Sequence, residues 1–275
     1  MRRRTLFALA LAALLVTTAP TTFSQEADPK ARLQTAEKMF AERCKKAGEF
    51  IHRTAENVEG VFLMKLRPKG MNDGDQYRMD DPYGRDLGGD GYIKSFLRGY
   101  ETRQAQFTPG SPTRYGYPYV EAIDPADGKR YRYTGIIKEV TKTSSPLVGG
   151  DGSTFKVKEF TLDRVPATGP QPRYGVTYDD ISTGEERDYW IAGSSLKVID
   201  LKTNEVMAER IGYMMDRGQG NKSGGRSPWL LAADNACPHF FRNLNLPPKN
   251  GRGASAQLHQ TEDFVEKILK PKLEK

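Results

Sequence analysis

Between residues 29 and 53 apolar positions recur at spacings of three and four. Leu33, Ala36, Phe40, Cys44, Ala47 and Ile51 fall on one face, while Lys38, Glu42, Lys45, Lys46 and Glu49 lie mostly elsewhere. That period predicts an amphipathic helix over 29–53. Asp28 suits its N-cap and Pro29 its first turn. The pattern then changes. Residues 58–66 (VEGVFLMKL) read as a first strand stopped by Pro68. Residues 119–124 and 129–141 read as the arms of a hairpin, because an Asp-Gly turn closes between β-rich segments. Residues 155–165 read as another strand. There Phe155 and Val157 share one parity and Phe160 and Leu162 the other, so a bulge near Lys158–Glu159 is expected to return all four to one face.

A short strand follows over 173–178, with an acidic turn at Asp179–Asp180. The strongest hairpin signal joins 195–201 to 206–215 across Lys202-Thr203-Asn204-Glu205. A terminal helix is expected over about 261–270, with Thr261 as its cap and Phe264, Val265, Ile268 and Leu269 as a narrow apolar stripe. Two stretches lack any sustained period, 67–91 and 217–228, and long loops of this kind in a compact domain usually carry function. The expected fold is therefore α+β: a mostly antiparallel, curved, meander-type sheet, partly barrel-like, with the N-terminal helix packed on it and a short C-terminal helix. No β-α-β rhythm is visible, so a doubly wound fold is not expected.

The first two dozen residues stand apart. Arg2, Arg3 and Arg4 precede an apolar run over 6–16, and small residues follow before Gln25. This is the pattern of a cleavable secretory signal over 1–24, and the run is too short to span a bilayer. A mature domain over 25–275, periplasmic or secreted, is expected. Without the leader the chain carries 39 basic residues against 35 acidic, so the whole-chain charge of +7 falls to +4. That balance does not suggest nucleic acid. Hydrophobic residues at 37% and charged residues at 28% exclude a disordered or multi-span membrane chain. Two cysteines in an exported protein predict one disulfide, Cys44 with Cys237, which staples almost the whole mature chain.

Several motifs invite chemistry and are better read otherwise. Ser194-Ser195-Leu196-Lys197 matches S-x-x-K, but that motif needs a helix, and in a strand residues three apart point to opposite faces. The loop from Gly218 to Ser227 lacks the spacing of a phosphate cradle. Asp73, Asp75, Asp80, Asp81, Asp86 and Asp90 crowd a Gly-rich stretch, without the order of a calcium loop. His52, reading as a capping cation at the helix end, His239 and His259 show no zinc spacing. No catalytic set, metal or cofactor is expected.

What remains are binding surfaces. Gln219, Asn221, Lys222 and Arg226 form a candidate partner-binding loop, and Tyr115, Tyr117, Tyr131 and Tyr133 a candidate aromatic surface. The expected function is binding of a protein partner in the cell envelope, of immunity or inhibitor type. The alternatives are an exported hydrolase acting on envelope material, built from residues such as Ser227, Asp234 and His239, or a carrier of a small ligand or glycan.

Overall fold

The computed structural model describes residues 28–70, 76–77, 79–84, 88–100, 115–145, 147, 149–240, 257 and 260–273. The expected leader over 1–24, Asp73, Asp75, Asp86 and His259 lie outside the described residues.

Helix α1 (Pro29–Cys44) starts as expected: the Asp28 side chain accepts from the Lys30 backbone N–H at 3.2 Å, with Pro29 in the first turn. It ends nine residues early. Residues 48–51 form strand β1 (Gly48–Ile51) instead, pairing antiparallel with the strand that holds Ile211. Ala47 and Ile51 fit a helical period, but a free sheet edge offers these residues backbone hydrogen bonds that an isolated helix end lacks. His52 consequently extends a strand, its N–H donating to Met207 O at 2.9 Å, and is not a helix cap.

The remaining elements are β2 (Ala55–Val58), β3 (Gly60–Leu63), α2 (Asp90–Ser95), β4 (Tyr119–Ile123), β5 (Arg130–Thr143), β6 (Thr154–Pro166), β7 (Tyr174–Asp180), α3 (Gly184–Asp188), β8 (Ile191–Asp200), β9 (Glu205–Met215), α4 (Pro228–Ala232), β10 (Ala236–Cys237), α5 (Gln260–Ile268) and β11 (Leu269–Pro271). Among the described residues nine strands make one open sheet in the order β1-β9-β8-β7-β3-β4-β5-β6, with β10 also on β9. It is not closed into a barrel. Nor is it antiparallel throughout: β3 runs parallel to both of its neighbours, β4 and β7. The apolar run Val61-Phe62-Leu63 is buried residue after residue. That is the pattern of a central strand covered on both faces, as parallel strands are. A separate parallel pair, β2 with β11, binds the C-terminal segment, and Lys272 N–H donates to Val58 O at 2.9 Å.

Both expected hairpins are present. The β4–β5 turn has Gly128 at φ +68°, and the β8–β9 turn has Asn204 at +58°, the left-handed conformations such tight turns require. The expected bulge at 158–159 is absent: β5 and β6 pair in unbroken register from Tyr131↔Pro166 to Thr143↔Thr154. Phe155 and Val157 simply face the other side. β6 is an edge strand whose far half pairs only with β5, so no core dictates a parity there. Asp179 and Asp180 end β7 in place of forming a turn.

Helix α1 meets β8 and β9 through Ala36, Met39 and Phe40, which cluster with Ile191, Tyr213 and Met215. Phe264, Val265 and Ile268 of α5 join Leu196, Val198 and Ala208 in the main core. Each of these three α5 side chains is buried, worth roughly 1.5–3 kcal/mol of apolar transfer. Cys44 and Cys237 form the expected disulfide, Cα to Cα 5.5 Å and 193 residues apart, tying the end of α1 to β10.

Candidate functional site

Two places follow from this arrangement. The first is a half-open cavity of about 730 Å³ lined by residues of β1, β2 and β9, the segment after Cys237, and α5 with β11. Part of its wall is aromatic and apolar, Tyr83, Phe240 and Phe264 with Pro238 and Pro271, and charged side chains, among them Glu49, Glu56, Asp263 and Glu266, line much of the rest. Tyr83 and Phe240 pack with ring centroids 5.0 Å apart. Burial pushes the Tyr83 phenol up to about 12, so it stays protonated at any physiological pH. Gly212 makes room for that ring: a Cβ there would sit 2.1 Å from the Tyr83 ring carbon Cζ.

Into this wall project two buried polar side chains, Arg210 (5% exposed) and Gln260 (8% exposed). Arg210 donates from Nη1 to Gln260 O at 2.8 Å. Its Nε and Nη2, and Gln260 Oε1, are closed off from solvent and have no hydrogen-bond partner among the described residues. The guanidinium lies 5.5 Å from the Tyr83 ring centroid and 5.6 Å from that of Phe264. At the mouth the charges are already matched, Lys267 to Glu49 at 2.5 Å and Lys270 to Glu56 at 2.7 Å.

The second place is the loop over 217–228. Its base is fixed by Asp216, which is buried and accepts from Gly218 N–H at 3.0 Å, Gly220 N–H at 2.8 Å and Arg226 Nη1 at 3.0 Å. Of the four residues expected to recognise a partner, three therefore serve the loop itself, Asn221 by accepting from Ser223 N–H at 2.8 Å through Oδ1 and from Arg226 Nη1 at 2.9 Å through its carbonyl. Arg226 closes on Asp216, and Gln219 (φ +46°) donates to Tyr189 O at 2.9 Å. Asn221 and Lys222 are exposed at the tip, beside Gly224 and Gly225. Pro228 and Trp229, which follow, are buried.

The tyrosines do not share one surface. Tyr115 is exposed at the mouth of the cavity. Tyr117 is in the core, its hydroxyl donating to Leu269 O at 2.6 Å. Tyr133 is buried and Tyr131 half-buried, donating to Asp127 at 2.7 Å. Of the hydrolase candidates, His239 lines the cavity, while Ser227 and Asp234 do not. Ser194 and Lys197 lie in β8, on opposite faces of the strand.

Two aspartates of the Asp-rich stretch, Asp80 and Asp81, bind the chain's own cations. Asp81 pairs with Arg67 at 3.0 Å, both side chains fully buried, and Asp80 pairs with Lys65 at 2.9 Å while accepting from the Tyr178 hydroxyl at 2.7 Å. Arg67 in turn lies 3.9 Å from the Tyr178 ring centroid. Among the described residues no cluster of His, Cys, Asp and Glu is arranged to hold a metal ion, and no helix is long and apolar enough to cross a membrane. Arg210 carries no motif; its signal in the sequence is a lone cation in a strand position whose neighbours two away, Ala208 and Gly212, are small or apolar.

Comparison with protein-family models, with curated proteins and with solved structures found no match in any of the three.

Proposed function

We propose that this chain is an exported binding protein that recognises a molecule of the cell envelope without transforming it, and that the cavity beside α5 is its binding site. The observation that carries the reading is the cavity's construction. Its volume falls in the range of ligand pockets, about 300–1,000 Å³, and its wall combines aromatic rings with a few buried polar groups, as such pockets do. The frame is also preformed. Pro238 and Phe240 follow the disulfide-tethered Cys237, and Gln260 lies on α5, which Phe264, Val265 and Ile268 anchor in the core. Little ordering is then needed when a ligand enters.

The test is titration of the oxidised chain with N-phenyl-1-naphthylamine, an uncharged probe that fluoresces in apolar surroundings. Saturable enhancement at one site, weakened by His239→Trp at the mouth, supports the reading. Absence of enhancement overturns it.

A second reading keeps a protein partner of immunity or inhibitor type. It is favoured by the exposed tip Asn221-Lys222, held out on a base fixed by Asp216. A loop presented rigidly in this way loses little entropy on docking. Alanine at Asn221 and Lys222 should then abolish capture of a protein partner from envelope extract with the unfolding midpoint unchanged; capture that survives removes this reading. Deleting 217–228 is not a clean test, because it also removes the Asp216 contacts and the buried Pro228.

A further inference from the structure

What a ligand meets in the cavity depends on the side chains that reach its surface. Arg210 contributes little there: it is 5% exposed, and its Nε and Nη2 are closed off from solvent. Four carboxylates line the same cavity, Glu49, Glu56, Asp263 and Glu266, against the two ammonium groups of Lys267 and Lys270. In a recess with partly apolar walls an excess of one charge concentrates the field and draws the opposite sign. This cavity therefore favours a cation.

The chain's own lysines mark where an ammonium sits. Lys267 Nζ lies 2.5 Å from Glu49 Oε2, and Lys270 Nζ lies 2.7 Å from Glu56 Oε1. Both lysine side chains are more than half exposed, at 52% and 56%, so these pairs are screened by water and hold their partners weakly. Each lysine can swing into solvent and leave its carboxylate to an ammonium brought by a ligand. Glu49 is the better shielded acid, 33% exposed against 60% for Glu56, so its charge acts more strongly on a bound cation.

The apolar part of the lining shares the cavity with these charges. Tyr83, Phe240 and Phe264 form its wall, and Tyr115, 50% exposed at the mouth, adds a ring whose face attracts cations. Glu266 accepts from the backbone N–H groups of Tyr115 at 3.1 Å and Gly116 at 2.9 Å, which fixes that segment against α5. Aromatic rings together with carboxylates suit an organic ammonium, because both attract the charge and the rings also cover its apolar carrier.

We propose that this cavity binds a ligand that carries an ammonium group on an apolar body. The ammonium takes the place of the Lys267 amine on Glu49, and the body lies against Tyr83, Phe240 and Phe264. The inference rests on the cavity being the binding site. The same chemistry is offered by a free amine and by a lysine side chain of a polypeptide.

The experiment is displacement of N-phenyl-1-naphthylamine from the oxidised full chain. The competitors are phenethylamine against uncharged phenethyl alcohol and anionic phenylacetate, and acetyl-Phe-Lys-amide against the same peptide acetylated on the lysine amine. The expected result is that at least one ammonium displaces the probe about tenfold better than its uncharged counterpart, the size of one charge-assisted hydrogen bond. Phenylacetate should compete worst. The ratio of charged to uncharged competitor, taken within each protein, should fall to near unity in Glu49→Gln. In Lys267→Met, which removes the competing ammonium, it should rise about twofold to fivefold. On the parent chain it should shrink as salt is raised from about 0.02 to about 0.5 M, a reading that needs no variant to fold. The larger of the two ratios assigns the source, a free amine or a lysine side chain. If the probe binds but charged and uncharged competitors act equally, or phenylacetate competes best, the ammonium inference is overturned while the cavity reading stands. A ratio that neither variant changes overturns the assignment to Glu49. If the probe does not bind the parent chain at all, both readings fall.

Discussion

Removing the Cys44–Cys237 cross-link is the sharpest stability test this fold offers. The bridge joins residues 193 apart, from the end of α1 to β10, and so restrains nearly the whole described chain. In the chain-entropy treatment a closed loop of that length lowers the entropy of the unfolded state by an amount worth about 5 kcal/mol at 25 °C. Little of this should come from lost packing, because both cysteines are only half-buried. The double variant Cys44→Ala/Cys237→Ala should therefore lose about 5 kcal/mol. For a domain of this size that lowers the melting temperature by about 10–20 °C. Urea unfolding followed by tyrosine and tryptophan fluorescence gives the free energy, and the slope against denaturant should rise, since the untethered chain exposes more surface. The parent chain in reductant should unfold at the same midpoint as the double variant. A loss below about 1 kcal/mol with an unchanged slope would refute the tether argument. A double variant far less stable than the reduced parent would assign the effect to packing at the two sites instead.

Further expectations concern single side chains. Asp200 is buried between Arg173, at 2.7 Å, and Arg53, at 2.8 Å; hydrogen bonds from Arg173 first, then Arg53 and the Lys202 N–H, hold its carboxyl well below the usual carboxylate range. Its contribution is complete above the unfolded-state value of about 3.9 and fades as pH falls through the lower folded value. Asp200→Asn should thus unfold at less urea at pH 7, with the deficit closing below about pH 4; a deficit constant down to pH 2 would deny the ion pair its role. Asp216→Ala leaves two backbone N–H groups and Arg226 without their acceptor, and should cost about 2–4 kcal/mol and speed amide exchange at Gly218 and Gly220. Lys222→Ala at the exposed tip should change stability by less than about 0.5 kcal/mol in the same urea assay. Gly212→Ala should cost about 1–3 kcal/mol and weaken probe binding together, because its Cβ would displace the Tyr83 ring that walls the cavity; a stable variant with full binding would show that the ring is free to move.

Much of the local structure was legible in the order of residues. The start of α1 at Asp28-Pro29, the two hairpins and Phe264, Val265 and Ile268 of α5 all rest on interactions between residues a few positions apart, whereas Thr261, expected as the cap, lies inside α5 and Leu269, expected in its stripe, belongs to β11. Where two local readings were equally good, the sequence pattern failed. Ala47 and Ile51 fit a helix, and the edge of β9 claimed their segment as a strand. Phe155 and Val157 invited a bulge, and an edge strand without a covering core needed none. Gln219 and Arg226 read as ligand-facing residues of a basic loop, and Asp216, at the end of the preceding strand, turned both to internal work.

By itself, then, the sequence determined the start of α1, the two hairpins and most of α5, and, through a count of two, which cysteines pair. Only the tertiary structure decided that β3 is the parallel centre of the sheet, that Asp80 and Asp81 pair with Lys65 and Arg67, and that Arg210 is buried. The reason is physical. Period and turn propensity act over one or two turns of chain, whereas strand neighbours and charge partners are chosen by three-dimensional packing. Among the described residues Arg210 hydrogen-bonds a residue 50 positions away, while the Glu49 across the strand pairs with Lys267.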